Sequence, residues 1–309
     1  MEETGSISVT EPIGEAIEWT RERLFEPFDL GEWFVFGFAW FLATLAKFGG
    51  PSVNYSGSSG ESRVSVDADT PADFVDQILG AVEVWHVIAG LIGLAVFIGL
   101  LALLLWIGSR GTFIFLDATL RDEAAITEPW SDYQRLGNSL FVVRLLYMLV
   151  TGVLTIVGPG IVLAVIALTA GLSAVMIPLL LVALLLGLPF FLALAIGYQM
   201  LADFVAPVML QRDMRCWPAC KRFWNEVLSR YPGTFLLFYL LKGLLWFGSV
   251  FLILIGGCLT CCIGFLPYLF NVVFLPIGVF FRTYTLRMLA QFGPEWAPAG
   301  GSDPVAELF

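Results

Sequence analysis

Charged residues are scarce in this chain, and their scarcity determines its class. Only 14% of the 309 residues are Asp, Glu, Lys or Arg, whereas 58% are hydrophobic and the mean hydropathy is +0.85. A soluble globular chain usually carries about 25% charged residues. Several uninterrupted apolar stretches also exceed the roughly 18 residues that cross a hydrocarbon layer about 30 Å thick. The composition therefore predicts an all-α, polytopic integral membrane protein.

The chain also lacks the residues on which many functions depend. Acidic residues outnumber basic residues by 26 to 16, and the net charge of −10 argues against a nucleic-acid partner. His86 is the only histidine, and no motif typical of a metalloprotease, an α/β-hydrolase or a phosphate-binding loop occurs. We therefore expect no enzyme activity, no cofactor and no metal site.

The five cysteines form two groups, Cys216 with Cys220, and Cys258 with Cys261 and Cys262. Zinc usually has four ligands, and these two groups are expected on opposite faces of the membrane, so they cannot share one ion. Cys258 and Cys261 would form a disulfide if the outside is oxidising. The alternative is that the cysteines pack as small apolar residues.

The apolar runs predict six transmembrane helices arranged as three hairpins. The spans lie in residues 33–46 and 84–107, with two more in residues 140–201 and two in residues 234–289. Two helices rather than three in residues 140–201 keep nearly all Lys and Arg residues on one face, as expected for cytoplasmic loops. This layout places both termini in the cytoplasm and Lys47 at the outer edge of the membrane.

Polar segments connect the predicted spans. Residues 49–83 are predicted to form an extracytoplasmic loop, and residues 108–139 a cytoplasmic segment. Each hairpin is also preceded by a predicted cytosolic amphipathic helix. The first is predicted at residues 11–26, the second within residues 128–141 and the third at residues 211–233. The first helix is expected to lie in the membrane interface or, alternatively, to pack on the cytosolic face of the protein. We favour it over a cleaved signal peptide, because the first 20 residues contain no Lys or Arg.

Charged residues inside the predicted spans are the best pointers to a functional site. They lie toward the cytoplasmic ends of these spans, close to polar residues of the neighbouring segments. The candidate cytosolic-side polar cluster consists of Arg110, Asp117, Asn138, Arg144, Asp203, Lys242 and Arg282. The alternative is that long side chains extend to the interface and that the cluster marks no site.

Several stretches resemble a family of uncharacterised bacterial multi-pass membrane proteins, a domain of unknown function. The matching stretches are RLFEPFDLGEWFVFGF, SRGTFIFLD, EPWSDYQRLGNSLF, FVAPVML and LAQFGPE, spread over most of the chain. The family is distantly similar to the membrane domains of some glycerophosphodiester phosphodiesterases, but this chain has no room for their catalytic domain. The resemblance implies a multi-pass protein of the bacterial cytoplasmic membrane and supplies no site residues.

The expected function is that of a non-enzymatic scaffold or accessory protein. It would act through its cytosolic face on membrane lipids or on other membrane proteins. Basic residues between Arg212 and Arg230 would contact anionic headgroups, each contact contributing about 1 kcal/mol. The alternative is a transporter or channel for a small or lipid-like molecule, which a central polar cavity would favour and a solidly packed bundle would disfavour.

Overall fold

The computed structural model describes residues 7–47, 84–121, 125–168, 173–259, 266–293 and 295–297. The predicted loop at residues 49–83 lies outside these ranges. All regular elements within them are helical, as the composition predicts. In chain order the helices are α1 (Glu11–Phe25), α2 (Leu30–Leu45), α3 (Val84–Leu120), α4 (Thr127–Asp132), α5 (Gln134–Leu168), α6 (Ser173–Met200), α7 (Ala206–Arg212), α8 (Cys216–Phe223), α9 (Pro232–Leu259), α10 (Pro267–Val273) and α11 (Leu275–Ala290). Two π-helical turns, Leu201–Val205 and Trp224–Leu228, continue α6 and α8.

Local sequence explains where the first two helices begin. Pro12 occupies the first turn of α1, where its missing N–H is not needed. Asp29 caps α2, because its carboxylate accepts hydrogen bonds from the backbone N–H groups of Gly31 at 2.7 Å and Glu32 at 3.3 Å. The bounds of α1 thus agree closely with the predicted residues 11–26. Its position in a membrane interface stays a prediction.

Buried side chains concentrate in one region, which we call the helical body. It consists of the shorter helices α1, α2, α4, α7, α8, α10 and α11, together with the adjoining ends of α3, α5, α6 and α9. One core surrounds Phe204, and a second surrounds Phe36 and Leu275. Helices α3 and α11 contribute side chains to both cores and so join them.

Within the described ranges, four helical stretches extend from the body and are long and apolar enough to cross a membrane. These candidate spans are Ile88–Leu120, Gln134–Gly158, Leu185–Arg212 and Pro232–Leu259. Large apolar side chains along them are exposed, for example Ile98 at 56%, Leu188 at 67% and Leu252 at 60%. Apolar patches of this size mark a membrane or protein contact, and the length of these helices fits a hydrocarbon layer. The structure is therefore that of an apolar helical protein suited to a membrane, as predicted.

The finer layout of six spans in three hairpins is not confirmed. Helix α2 has 16 residues, and a rise of 1.5 Å per residue makes it about 24 Å long, which is less than a typical hydrocarbon thickness of about 30 Å. Helix α11 also has 16 residues, and most of them are buried in the helical body.

Helix α2 packs against the C-terminal half of α3, and this differs from the predicted hairpin. A Cβ atom added at Gly108 would lie 2.1 Å from the backbone nitrogen of Ala46, and one added at Gly111 would lie 2.4 Å from the carbonyl carbon of Leu42. The two glycines therefore allow the two backbones to approach closely. The sequence predicts residues 84–107 as the partner of this helix instead.

The predicted cytoplasmic segment at residues 108–139 begins as a continuation of α3, which runs without a break to Leu120. Its polar residues do not end the helix, because their hydroxyl groups donate to backbone carbonyls one turn earlier. Ser109 donates to Leu105, Thr112 to Gly108 and Thr119 to Phe115, at 2.7 to 2.8 Å. A polar sequence therefore forms a buried helix here.

The predicted helix at residues 211–233 is divided in the structure. Helix α7 ends at Arg212, and Asp213 adopts a left-handed conformation with φ of 46°. Helix α8 and its π turn then cover Cys216 to Leu228, and α9 begins at Pro232. The buried face of this stretch consists of Cys216, Ala219, Phe223 and Val227, so the segment is amphipathic but shorter than predicted.

Candidate functional site

Four residues of the predicted polar cluster converge inside the helical body. Arg144 comes from α5, Asp203 from the π turn after α6, Lys242 from α9 and Arg282 from α11. Arg144 is only 2% exposed and Arg282 only 7%, and the side chains of Asp203 and Lys242 are 16% and 15% exposed. We call these four residues the cationic cluster, since three of them carry a positive charge and one a negative charge.

Asp203 is held mainly by Lys242. The Lys242 Nζ atom lies 2.6 Å from Asp203 Oδ2, and the Tyr239 hydroxyl donates to the same oxygen at 3.2 Å. Lys242 also lies 5.7 Å from the centre of the Phe238 ring, within the range of a cation–π interaction. The single carboxylate of the cluster is thus paired with the lysine.

The π turn explains why Arg282 approaches the backbone at this point. The N–H of Ala206 bonds to the carbonyl of Leu201, five residues earlier. The next donor in this register would be Pro207, which has no N–H to offer to Ala202. Arg282 replaces it, because its Nη1 donates to the Ala202 carbonyl at 2.6 Å. The sequence FVAPVML thus creates an acceptor that an arginine from another helix satisfies.

Arg144 contacts neutral oxygens. Its Nη1 donates to Thr112 Oγ1 at 3.1 Å and to Ser109 Oγ at 3.3 Å, both on α3. Its guanidinium carbon lies 5.9 Å from the centre of the Tyr198 ring. Within the described ranges, no ion pair joins Arg144 or Arg282 to a carboxylate.

Lys47 also belongs to the electrostatic surroundings of this cluster, and its position corrects the sequence-based layout. Burial lowers the pKa of Lys47 most, the positive charges of Lys242, Arg144 and Arg282 lower it further, and Asp203 raises it. Although part of the Lys47 side chain is exposed, the surrounding protein atoms desolvate its ammonium group. The sequence predicts Lys47 at the outer edge of the membrane and these residues in its cytoplasmic half. It lies near them because α2 packs on the C-terminal half of α3, where the Tyr198 hydroxyl donates to the Ala46 carbonyl at 2.6 Å.

Arg110 and Asn138 form a second, separate group. The guanidinium carbon of Arg110 lies 4.3 Å from the centre of the Trp106 ring and 5.2 Å from that of Trp130. Arg110 Nη2 donates to Asn138 Oδ1 at 3.3 Å, and Trp106 Nε1 donates to the same oxygen at 3.0 Å. The arginine is thus enclosed by aromatic rings, and it joins α3 to α4 and α5.

Asp117 forms a third group with Arg121 and Tyr133. Its Oδ1 lies 2.8 Å from Arg121 Nε and accepts a hydrogen bond from the Tyr133 hydroxyl at 2.6 Å. Burial raises the pKa of Tyr133 to about 12, and the hydrogen bond to Asp117 contributes to this rise. The seven predicted residues therefore form three groups, not one.

The prediction missed residues that contact the cationic cluster. Tyr239 precedes Lys242 by three positions, and Ser109 precedes Thr112 by three, so helical spacing places each pair on one face. That spacing was a signal available in the sequence. Nothing in the sequence indicated that Tyr198 would lie against Arg144.

The cysteines and the histidine form no site in the described part of the chain. The Sγ atoms of Cys216 and Cys220 lie 3.8 Å apart, and their hydrogen bond raises the pKa of Cys216 and lowers that of Cys220. Among the residues described, no group of three or more His, Cys, Asp or Glu residues could hold a metal ion. Cys261, Cys262 and the side chain of His86 lie outside the description.

Comparison with known proteins gives one match. Residues 7–270 match the model of a family of unknown function, DUF7544. No curated protein and no solved structure matches the chain. These comparisons give no support for the distant similarity to the membrane domains of glycerophosphodiester phosphodiesterases.

Proposed function

The chain belongs to the family of unknown function DUF7544, and from this premise we propose that it is a non-enzymatic accessory protein of a cell membrane. Its long apolar helices anchor it in the bilayer. The surface of its helical body acts on membrane lipids, with other membrane proteins as further partners.

One exposed stripe on α8 and its π turn carries this proposal. Trp217 is 70% exposed, Trp224 is 61% exposed, and Lys221 between them is also exposed. Spacings of four and three residues place the three side chains on one face of a helix. Phe223 and Val227 on the other face are buried in the body. Tryptophan prefers the headgroup level of a bilayer, and lysine is attracted to anionic lipids, so this stripe is suited to a membrane surface.

The close packing of aromatic side chains inside the helical body supports an accessory role over transport. Phe204 is fully buried, and its ring centre lies 5.4 Å from that of Phe223, 5.1 Å from that of Phe235 and 5.2 Å from that of Phe238. Close-packed rings of this kind occupy the space that a polar pathway would need. A transporter or channel for a small or lipid-like molecule is the second proposal, and the buried cationic cluster is the observation that favours it.

Nitroxide labels test the contact between α8 and the membrane. Single cysteines replace Trp217 and Trp224 in a background without the native cysteines, and the protein is reconstituted into vesicles with anionic lipid. We expect both labels to collide more often with oxygen than with a water-soluble nickel chelate. Arg215→Cys, exposed two residues before Trp217 and off the stripe, is the control and is expected to favour the nickel chelate. Equal nickel accessibility at all three positions contradicts the proposal.

We further propose that the chain crosses the membrane an even number of times, with both termini in the cytoplasm. The basic residues between Arg212 and Arg230 support this orientation, since Lys and Arg concentrate in cytoplasmic loops. An impermeant maleimide should label a cysteine at Ser58 in intact cells, but a cysteine at Ser229 only after permeabilisation. The reverse pattern contradicts the orientation.

A further inference from the structure

The cationic cluster contains more positive charge than its own carboxylate can neutralise. Asp203 is paired with Lys242 at 2.6 Å. Arg144 lies close enough to Arg282 for their charges to repel, and Asp203 attracts both arginines without forming an ion pair with either of them in the described part of the chain. Arginines with so little exposed surface are costly unless an anion compensates them.

The unused hydrogen-bond donors show where such an anion would lie. Arg282 Nη1 is occupied by the Ala202 carbonyl at 2.6 Å, whereas Nε and Nη2 are buried and have no partner in the described part of the chain. Nε and Nη2 form the side edge of the guanidinium, where two N–H groups point in parallel. Arg144 Nε is also buried and without a partner among the described residues.

We propose that the cationic cluster binds a phosphate-bearing anion, held by the free edge of Arg282 and by Arg144. Two parallel N–H donors match two oxygens of a phosphate group, and this bidentate contact is among the strongest hydrogen-bonded pairs in proteins. A phosphate group has further oxygens that can accept from the second arginine.

The phosphate can belong to a lipid headgroup or to a free anion. Three of the four cluster residues lie on apolar helices that are candidate spans, and basic pockets between such helices bind anionic headgroups. The proposal goes beyond the accessory function, because this site lies inside the helical body and the proposed lipid contact of α8 lies on its surface.

Thermal unfolding of the full chain, delipidated in a neutral detergent, distinguishes the two sources. One arm titrates inorganic phosphate against chloride at matched ionic strength, and the other titrates dioctanoyl phosphatidylglycerol against dioctanoyl phosphatidylcholine. We expect a saturable rise in Tm with a phosphate-bearing anion. A rise with both ligands identifies a free anion as sufficient, and a rise with the lipid alone identifies a headgroup. No rise in either arm overturns the proposal.

Charge variants locate the site. Arg282→Gln should weaken binding at least about tenfold, as expected for losing a hydrogen bond to a charged group. Asp203→Asn should tighten binding, because it removes the only competing carboxylate of the cluster. Arg21→Gln, at an exposed arginine on α1 outside the basic stretch 212–230, is the control and should bind like the unchanged protein.

The opposite signs separate an electrostatic role from structural damage. A structural role alone would make Arg282→Gln and Asp203→Asn shift binding in the same direction, and that result overturns the proposal, as does unchanged binding by Arg282→Gln. Should Arg282→Gln fail to fold, Arg144→Gln replaces it in the same comparison. A nitroxide that replaces Trp217 can still collide more often with oxygen than with the nickel chelate in a protein that binds no phosphate. That result would refute this inference while leaving the accessory function intact.

Discussion

Alanine substitutions at Gly108 and Gly111 test the packing of α2 on the C-terminal half of α3. The new Cβ atoms would lie 2.1 Å from the Ala46 nitrogen and 2.4 Å from the Leu42 carbonyl carbon, respectively. Carbon atoms in contact are separated by about 3.5–4.0 Å, so the two helices would have to move apart by about 1 Å or more. Backbone atoms cannot rotate away, and the substitution must displace α2 itself.

Overpacking in other protein cores lowers the free energy of unfolding by about 1–3 kcal/mol, and we expect a loss of this size here. At about 2–4 °C per kcal/mol for a large domain, the Tm of either variant should fall by about 2–12 °C. The Tm would be measured by intrinsic fluorescence on the purified protein in a mild detergent. Such a fall is a loss of stability without any loss of a polar or charged group.

Gly93→Ala and Gly99→Ala are matched controls on the same helix. Beyond its own helical turn, a Cβ atom at either position meets no atom of the described residues within 4 Å, so alanine should be neutral or should raise the Tm slightly through its better helix propensity. The predicted hairpin would pair α2 with residues 84–107, where these two glycines lie. A lower Tm for Gly93→Ala or Gly99→Ala, with no change for Gly108→Ala and Gly111→Ala, would therefore refute the observed packing.

Two further predictions concern the core and a half-buried tyrosine. Phe204→Ala should destabilise the protein by about 3–5 kcal/mol in a denaturation experiment, whereas Phe247→Ala, at a side chain that is 61% exposed, should change stability little; equal losses would count against the described core. Since burial and the hydrogen bond to Asp117 raise the pKa of Tyr133 from 10.0 to about 12, the protonated form is favoured in the folded protein, and this stabilisation is complete below pH 10 and lost between pH 10 and 12. Ultraviolet difference absorbance should show that Tyr133→Phe removes the signal of one phenol near pH 12, where Tyr284 also titrates, and an unchanged titration curve for that variant would refute the assignment.

The local features of the chain were readable from its sequence. Pro12 and the acidic residues in the early turns indicated α1, and apolar and polar residues on opposite faces at helical spacing indicated the amphipathic α8. These signals depend on neighbours within one or two helical turns, so they do not require knowledge of the packing. The apolar runs likewise predicted long helices, because the length and composition of a run are enough to show that a helix could cross the hydrocarbon layer.

The packing of α2 and the grouping of the charges were not readable. Residues 108–120 carry Arg110 and Asp117 and therefore resembled a polar interface, but both charges have partners inside the body. Lys47 was expected far from Arg144. The contact between α2 and α3, which brings the two residues near each other, was not predicted. Such contacts depend on residues far apart in the chain, and charge distribution does not reveal them.

We expect the exposed apolar sides of the four long helices to lie in lipid hydrocarbon. Reaction with a water-soluble maleimide in leaky vesicles tests this location most directly. Single cysteines would replace one exposed apolar residue in each helix, namely Ile98, Leu149, Leu188 and Leu252. We predict that all four cysteines stay unreactive until the vesicles are dissolved in denaturing detergent, while a cysteine at exposed Ser229 reacts at once. Prompt labelling of the four apolar positions in intact bilayers would contradict it.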